Sequence, residues 1–304
     1  MTKRVSYPQG IWGLFARSWE LSLRADNKSE NTIYAYIQAV RLLGEWAHRQ
    51  QPVIEPTDVR PIQIRLFIAE LINRTSAGNA HTNYRALRTF FNWLVDEGEI
   101  DRTPMDRTKA PIVPEKPIPV ITDISIKTLF VSCQGKDFTS QRDTAIIRVL
   151  FDTGARLSEV ANLTVDDVDH DTRLIHVFGK GRRSRAIPFG PKTGLALLRY
   201  LRARSQRADA ESPHLWLGLR GHLTDEGIKQ MLKRRGELAG VPNLHAHRFR
   251  HTLAHAWQLN AGNETDLMRI MGWKSREMLG RYGASAADQR AHASARALHL
   301  GDRV

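Results

Sequence analysis

Three short runs in the second half of the chain carry residue types suited to phosphate-ester chemistry. T-G-A-R-L-S-E-V (153–160) holds Arg156 and Glu159, H-R-F-R-H (247–251) holds His247 and Arg250, and M-G-W (271–273) holds Trp273, with Tyr282 nine residues further on. Between the first two lies G-K-G-R-R-S (179–184), with Lys180. Cutting a phosphodiester without a metal ion takes a nucleophile, cations against the non-bridging oxygens, a base, an acid for the departing 5′-oxygen, and exclusion of water. These runs contain candidates for each role. Plainer readings stand beside them. Tyr282 follows Met278 and Leu279 at i+4 and i+3, the placement of a buried core tyrosine. His247, His251 and His255 fall at i, i+4 and i+8, one helix face that would suit a metal. Zinc proteases with H-E-x-x-H carry a glutamate base there. This chain has Arg248 in its place and Arg250 beside it, and two cations next to a dication repel. No metal ligand set is assigned, and no cofactor is expected.

The charge balance points the same way. The 304 residues include 45 Lys/Arg against 32 Asp/Glu, a net charge of +13. A basic surface of that size needs an anionic partner, and nucleic acid is the commonest; a merely basic, well-solvated enzyme is the rival. Residues 1–110 carry 15 Lys/Arg against 12 Asp/Glu, which leaves 30 against 20 for residues 111–304. The second half is therefore where phosphate chemistry is expected. A single cysteine, Cys133, rules out an internal disulfide and a cysteine-based zinc cluster and fits a reducing compartment. The first residues, MTKRVSYPQGIWGLF, lack the apolar stretch of a signal peptide, and no 18-residue apolar run follows. A soluble, cytoplasmic protein without membrane contact is expected.

Helical periodicity dominates the first hundred residues. Ile33, Tyr36, Ile37, Val40, Leu43 and Trp46 form one stripe, on a helix that Ser29 can cap. Tyr84, Leu87, Phe91 and Leu94 mark another, with Gly98 placed to end it. Shorter patterns at 11–24 and 61–73, the latter opening on Pro61, complete a four-helix domain over 1–105. The polar face of the 80–97 helix offers Thr82, Asn83, Arg85 and Arg88 to a DNA groove, although a plain solvated face would look the same. Five prolines in PMDRTKAPIVPEKPIPVI (104–121) predict an extended linker over 106–121. The second domain, 122–304, opens with apolar helices at 123–132 and 140–153. RLIHVF (173–178) and RAIPF (185–189) read as strands of a hairpin. Helices are predicted at 191–206, 224–238, 247–260, 264–272 and 275–282, with Asn263 and Asp266 as a capping pair and a terminal helix over 285–300. Gly154 should end one helix, with Arg156 in the first turn of the next. Gly280 and Gly283 suggest a loosely held segment around Tyr282.

The order T-G-x-R-x-x-E, a G-K-G hairpin, H-x-x-R-H, then M-G-W and a tyrosine nine residues on resembles the signature of tyrosine site-specific recombinases and phage integrases. Each element alone is common by chance; all five in order are not. The signature spans about 130 residues, and the helical domain and linker before it resemble that family's core-binding domain and connector. The resemblance implies a mainly α fold: a SAM-like four-helix core-binding domain, then a mixed, mostly helical catalytic domain with a small antiparallel sheet. It implies that Arg156 and Arg250 clamp the scissile phosphate, where a planar guanidinium gives paired donors and keeps its charge. Glu159 would orient Arg156 or His247, and His247 would accept or position the proton of the Tyr282 hydroxyl. Lys180 would be the general acid, its charge disfavoured by Arg182, Arg183 and Arg185, any of which could instead hold backbone phosphate. Trp273 departs from the commoner histidine, and its indole N–H can only donate. The activity implied is cleavage and rejoining of double-stranded DNA at core-type sites through a 3′-phosphotyrosyl link and a Holliday junction, by a homotetramer. With the first helix expected near residue 11, an added arm-site domain is not expected. A type IB topoisomerase would use the same chemistry without strand exchange, and a non-catalytic DNA-binding regulator would leave the constellation idle.

Overall fold

Ser29 ends one turn and starts a helix by accepting a hydrogen bond at Oγ from the Thr32 N–H, 3.3 Å away. Such local signals order the first unit of this computed structural model, which describes residues 5–114, 119–179 and 184–298. The unit has four helices: α1 (Gly10–Ala25), α2 (Glu30–His48), α3 (Pro61–Arg74) and α4 (Ala77–Asp96). Ser76 caps α4 and Pro61 opens α3. Trp12, Ala16, Trp19 and Leu23 recur on one face of α1 and meet Phe90, Phe91 and Leu94 of α4, all buried. Deleting one such ring costs about 3–5 kcal/mol, so this aromatic core holds the unit together.

On α4, Thr82, Arg85 and Arg88 point to solvent. Asn83 does not: it is buried, and its amide donates to Asn79 O at 2.9 Å. Its helical position flanks Tyr84 and Leu87, so the apolar stripe takes it inward, and it leaves the set of candidate DNA-contacting residues.

The chain divides into compact units at Met1–Lys116 and Pro117–Val304. The proline-rich stretch is pinned at both ends. Met105 lies in the first core, Tyr84 Oη donates to Thr108 O at 2.7 Å, and His81 Nδ1 lies 2.9 Å from Pro111 O. At the other end the Ile121 N–H donates to Thr252 Oγ1 at 2.9 Å.

The second unit comprises α5 (Asp123–Ser132), α6 (Phe138–Thr153), α7 (Leu157–Ala161), α8 (Pro191–Arg204), α9 (Asp225–Leu238), α10 (Ala246–Leu259), α11 (Glu264–Met271) and α12 (Glu277–Leu298). A sheet of β1 (Val168–Asp169), β2 (Leu174–Phe178) and β3 (Ser184–Pro188) is antiparallel in that order, with Ile175 opposite Ile187 and Val177 opposite Arg185. Ile175, Val177 and Ile187 enter the core beside α6, whose Ala145, Ile146, Val149 and Leu150 are fully enclosed. Asp143 is buried among Arg142, Arg234 and Arg235, all within hydrogen-bond reach of its carboxylate. A carboxylate so deep persists only because it is paired.

Two expectations need correction. Arg156 is the N-cap of α7, with extended φ/ψ of −67° and 148°, and not a first-turn residue. The segment around Tyr282 is not a break between two helices, because α12 runs unbroken for 22 residues through Gly280 and Gly283. Each glycine costs about 1 kcal/mol relative to alanine, and the helix continues nonetheless, with Leu279 and Tyr282 buried on its inner face. The two-residue β1 is too short to show a period. No helix among the described residues is long and apolar enough to cross a membrane.

Candidate active site

Three tight helix ends gather the site. At the first, α6 stops on Gly154 (φ 57°), where an added Cβ would come within 2.9 Å of Leu253 Cδ2. A side chain there would meet both a left-handed backbone and a close neighbour. The chain then extends through Arg156, whose N–H donates to Glu159 Oε2 at 2.8 Å while its Nη1 donates to Oε1 at 2.9 Å. At the second, α10 brings His247, Arg250 and His251 to one side. At the third, α11 stops on Gly272 (φ 61°), and the Trp273 N–H donates back to Met268 O at 2.9 Å. The first turns of α12 then deliver Tyr282.

These pieces meet. Tyr282 Oη lies 2.9 Å from His247 Nε2. The Tyr282 ring stacks on His251 with centroids 4.1 Å apart and contacts Trp273 at 4.7 Å. Arg250 lies 5.8 Å from the Tyr282 ring centroid and donates to Gly154 O at 2.7 Å and to Met271 O. Tyr282 is 4% and Arg250 2% exposed, whereas the Arg156 side chain is 44% exposed. Arg156 is thus the cation that faces solvent, and Arg250 forms the floor. Among the described residues neither Trp273 Nε1 nor His251 Nε2 has a hydrogen-bond partner, although both are buried. The Trp273 indole N–H marks a place that an acceptor can complete, and the tautomer of His251 decides whether its Nε2 donates or accepts there.

The electrostatics suit proton transfer. Burial, reinforced by the charges of Arg250, His245 and Arg156, pushes the His247 imidazole below its ordinary range, so it is neutral at pH 7 and free to accept a proton. His251 is driven further, to about 4, by burial and by His247, His245 and Arg250. Burial lowers Arg250 to about 10, which still leaves it charged at neutral pH. For Glu159 burial works upward, but the hydrogen bonds from Arg185 and Arg156 outweigh it and keep the carboxylate ionised.

Of the residues singled out from sequence, Arg156, Glu159, His247, Arg250, Trp273 and Tyr282 share this cluster. Glu159 holds Arg156, and its other partner is Arg185 rather than His247. Arg185 therefore needs correction: with its donors turned onto Glu159 and Ile270 O, it is not a cation offered to DNA phosphate. Lys180, Arg182 and Arg183 lie outside the described residues. Thr82, Arg85 and Arg88 belong to the other unit. Among the described residues no group of three His, Cys, Asp or Glu could hold a metal ion. The stacking role of His251 was missed; its signal was its place one turn after His247, which the metal reading absorbed. A cavity of about 630 Å³ between α5, α6 and α8, lined by Lys127, Arg148 and Lys192 among others, contains none of the site residues.

Residues 120–289 match the phage integrase family, and residues 15–99 match the phage integrase N-terminal SAM-like domain. The first match covers more than half of the 304 residues. The chain belongs to the phage integrase family. A tyrosine recombinase XerC from Mycobacterium sp. (strain KMS) is 31% identical to this integrase-family chain over 240 residues, 75% of this chain and 79% of the relative. Another XerC, from Thermodesulfovibrio yellowstonii, is 29% identical over 231 residues, covering 73% and 76%. Among solved structures, the Tn1549 transposon integrase in complex with a circular intermediate DNA superposes with a TM-score of 0.75 at 20% identity, covering 93% of this chain and 99% of that chain. A lambda integrase dimer bound to a COC′ core site gives 0.71 at 15% identity, covering 89% and 76%. At such identities these two establish the fold. As a phage integrase family member the chain is a tyrosine recombinase, an enzyme of site-specific recombination that breaks and rejoins DNA.

Proposed function

We propose that Tyr282 is the nucleophile of this recombinase. The observation that carries the reading is the 2.9 Å contact of its hydroxyl with His247 Nε2, beside two arginines. His247 takes the phenolic proton as the oxygen attacks phosphorus. Arg156 and Arg250 offset the charge that develops on the non-bridging oxygens, and the unpaired Trp273 N–H adds a donor. Lys180 protonates the departing 5′-oxygen. The products are a 3′-phosphotyrosine and a free 5′-hydroxyl, which then attacks the phosphotyrosine of a partner strand. The ester conserves the bond energy, and the guanidinium groups supply the charge, so no step is assigned to ATP or a metal.

Four protomers on two core-type duplex sites would pass strands through a Holliday junction, in the cytoplasm. The exposed Thr82, Arg85 and Arg88 on α4, with Arg182 and Arg183 of the basic run, are the further DNA contacts proposed. A topoisomerase-like strand transferase is not favoured, since the relatives matched are recombinases. Tyr282→Phe keeps the ring and its packing but removes the attacking oxygen. It should bind a nicked cognate site normally and give no covalent adduct on denaturing electrophoresis; a persisting adduct would assign the attack to another residue.

A further inference from the structure

Arg185 shares the charge of the basic hairpin run but not its exposure. Its side chain is 15% exposed. Nη1 and Nη2 donate to the two oxygens of Glu159 and Nε to Ile270 O, each at 2.8 Å. The same two oxygens accept from the Nη1 and main-chain N–H of Arg156. The Arg185 guanidinium also lies against Gly272, where an added Cβ would come within 3.2 Å of its Cζ. Gly272 O in turn accepts from Arg156 Nη2 at 3.3 Å. One side chain on β3 therefore meets both supports of Arg156.

We propose that Arg185 is a positioning residue for strand cleavage: it neutralises and fixes Glu159, and so leaves the Arg156 guanidinium aimed and net positive toward the scissile phosphate. Two guanidinium groups against one carboxylate leave the cluster with one positive charge. Without Arg185, Glu159 Oε1 keeps only Arg156 Nη1 and Oε2 only the Arg156 main-chain N–H, so Oε2 can take a second guanidinium donor and the carboxylate can chelate Arg156. Arg156 is then turned from the phosphate and its charge is cancelled. The inference rests on reading Arg156 as the phosphate clamp.

The test compares cleavage of an ordinary site with one carrying a methylphosphonate at the scissile position. The methyl group replaces a non-bridging oxygen and removes the negative charge that the clamp offsets. Arg156→Ala should therefore slow the phosphate substrate far more than the methylphosphonate, lowering the ratio of the two rates by about a hundredfold, the scale of losing one such donor. Arg185→Ala should lower the same ratio by about tenfold or more. Arg185→Lys keeps the charge and the fold but only one point of contact, and should lower the ratio by less than Arg185→Ala. If both Arg185 variants slow the two substrates equally, Arg185 is a brace of the fold and the inference is overturned. If Arg156→Ala itself leaves the ratio unchanged, the clamp reading falls and takes the inference with it.

Discussion

His251 makes the site's packing answerable to pH. Its ring is 3% exposed, stacked on Tyr282, with Nε2 unpaired among the described residues. Burial and the neighbouring His247, His245 and Arg250 push its pKa from the ordinary 6.5 to about 4. The folded state therefore binds the proton more weakly than the unfolded chain. Stability is full above about pH 6.5, falls as the unfolded chain takes up the proton, and levels off below about pH 4. A gap of about 2.5 units at 1.36 kcal/mol each gives a loss of roughly 3 kcal/mol across that window. His251→Phe keeps an aromatic ring against Tyr282 and cannot titrate; whatever overpacking it brings is the same at each pH and cancels. Urea unfolding of both proteins at intervals from pH 7.5 to 4 is the assay. The stability difference between them should shift toward the variant by about 3 kcal/mol as the pH falls. Parallel curves would show that His251 protonates as easily in the folded protein as in the unfolded one, and the account of its burial would be wrong.

Three further outcomes follow from the site. With His247 depressed below 6.5, single-turnover cleavage should be insensitive to this group above that pH and fall as acid protonates it; a rate that rises on acidification would remove it as the base. Lys180→Ala should cleave the ordinary site very slowly yet recover on a 5′-sulfur-bridged one, because a thiol, with a pKa near 8.5, leaves without an acid. Arg156→Ala should not recover there, and recovery of Arg182→Ala or Arg183→Ala instead would relocate the acid. Binding should weaken steeply with salt, with a log–log slope near −5 for about six phosphate contacts; a flat response would detach the +13 charge from DNA.

The helices of both units were legible because their apolar stripes, caps and end glycines agree: Ser29 and Asn263 both cap as their positions suggest. The cluster of Arg156, His247, Arg250, Trp273 and Tyr282 was legible only as an ordered set of short motifs, since no local pattern brings the N-cap of α7, the face of α10, the residue beyond the end of α11 and the start of α12 together. Three features were not legible. Asn83 looks polar in sequence but falls within the buried arc of α4, and arc width is decided by packing. Arg185 alternates like any strand residue, and nothing nearby in sequence names Glu159, 26 residues away, as its partner. The glycines around Tyr282 read as weak points because propensity is a local quantity, whereas the helix that carries them runs to Leu298.

That persistence changes what must move when the nucleophile moves. Tyr282 is carried in the second turn of a helix that continues to Leu298. At 1.5 Å per residue the far end lies about 24 Å from the tyrosine, along a hydrogen-bonded rod and not a slack tether. A rod transmits displacement. Displacement of its distal turns is carried to the hydroxyl that sits 2.9 Å from His247 Nε2. The position of the proposed nucleophile is therefore tied to the angle of a whole helix and not to the conformation of a short loop.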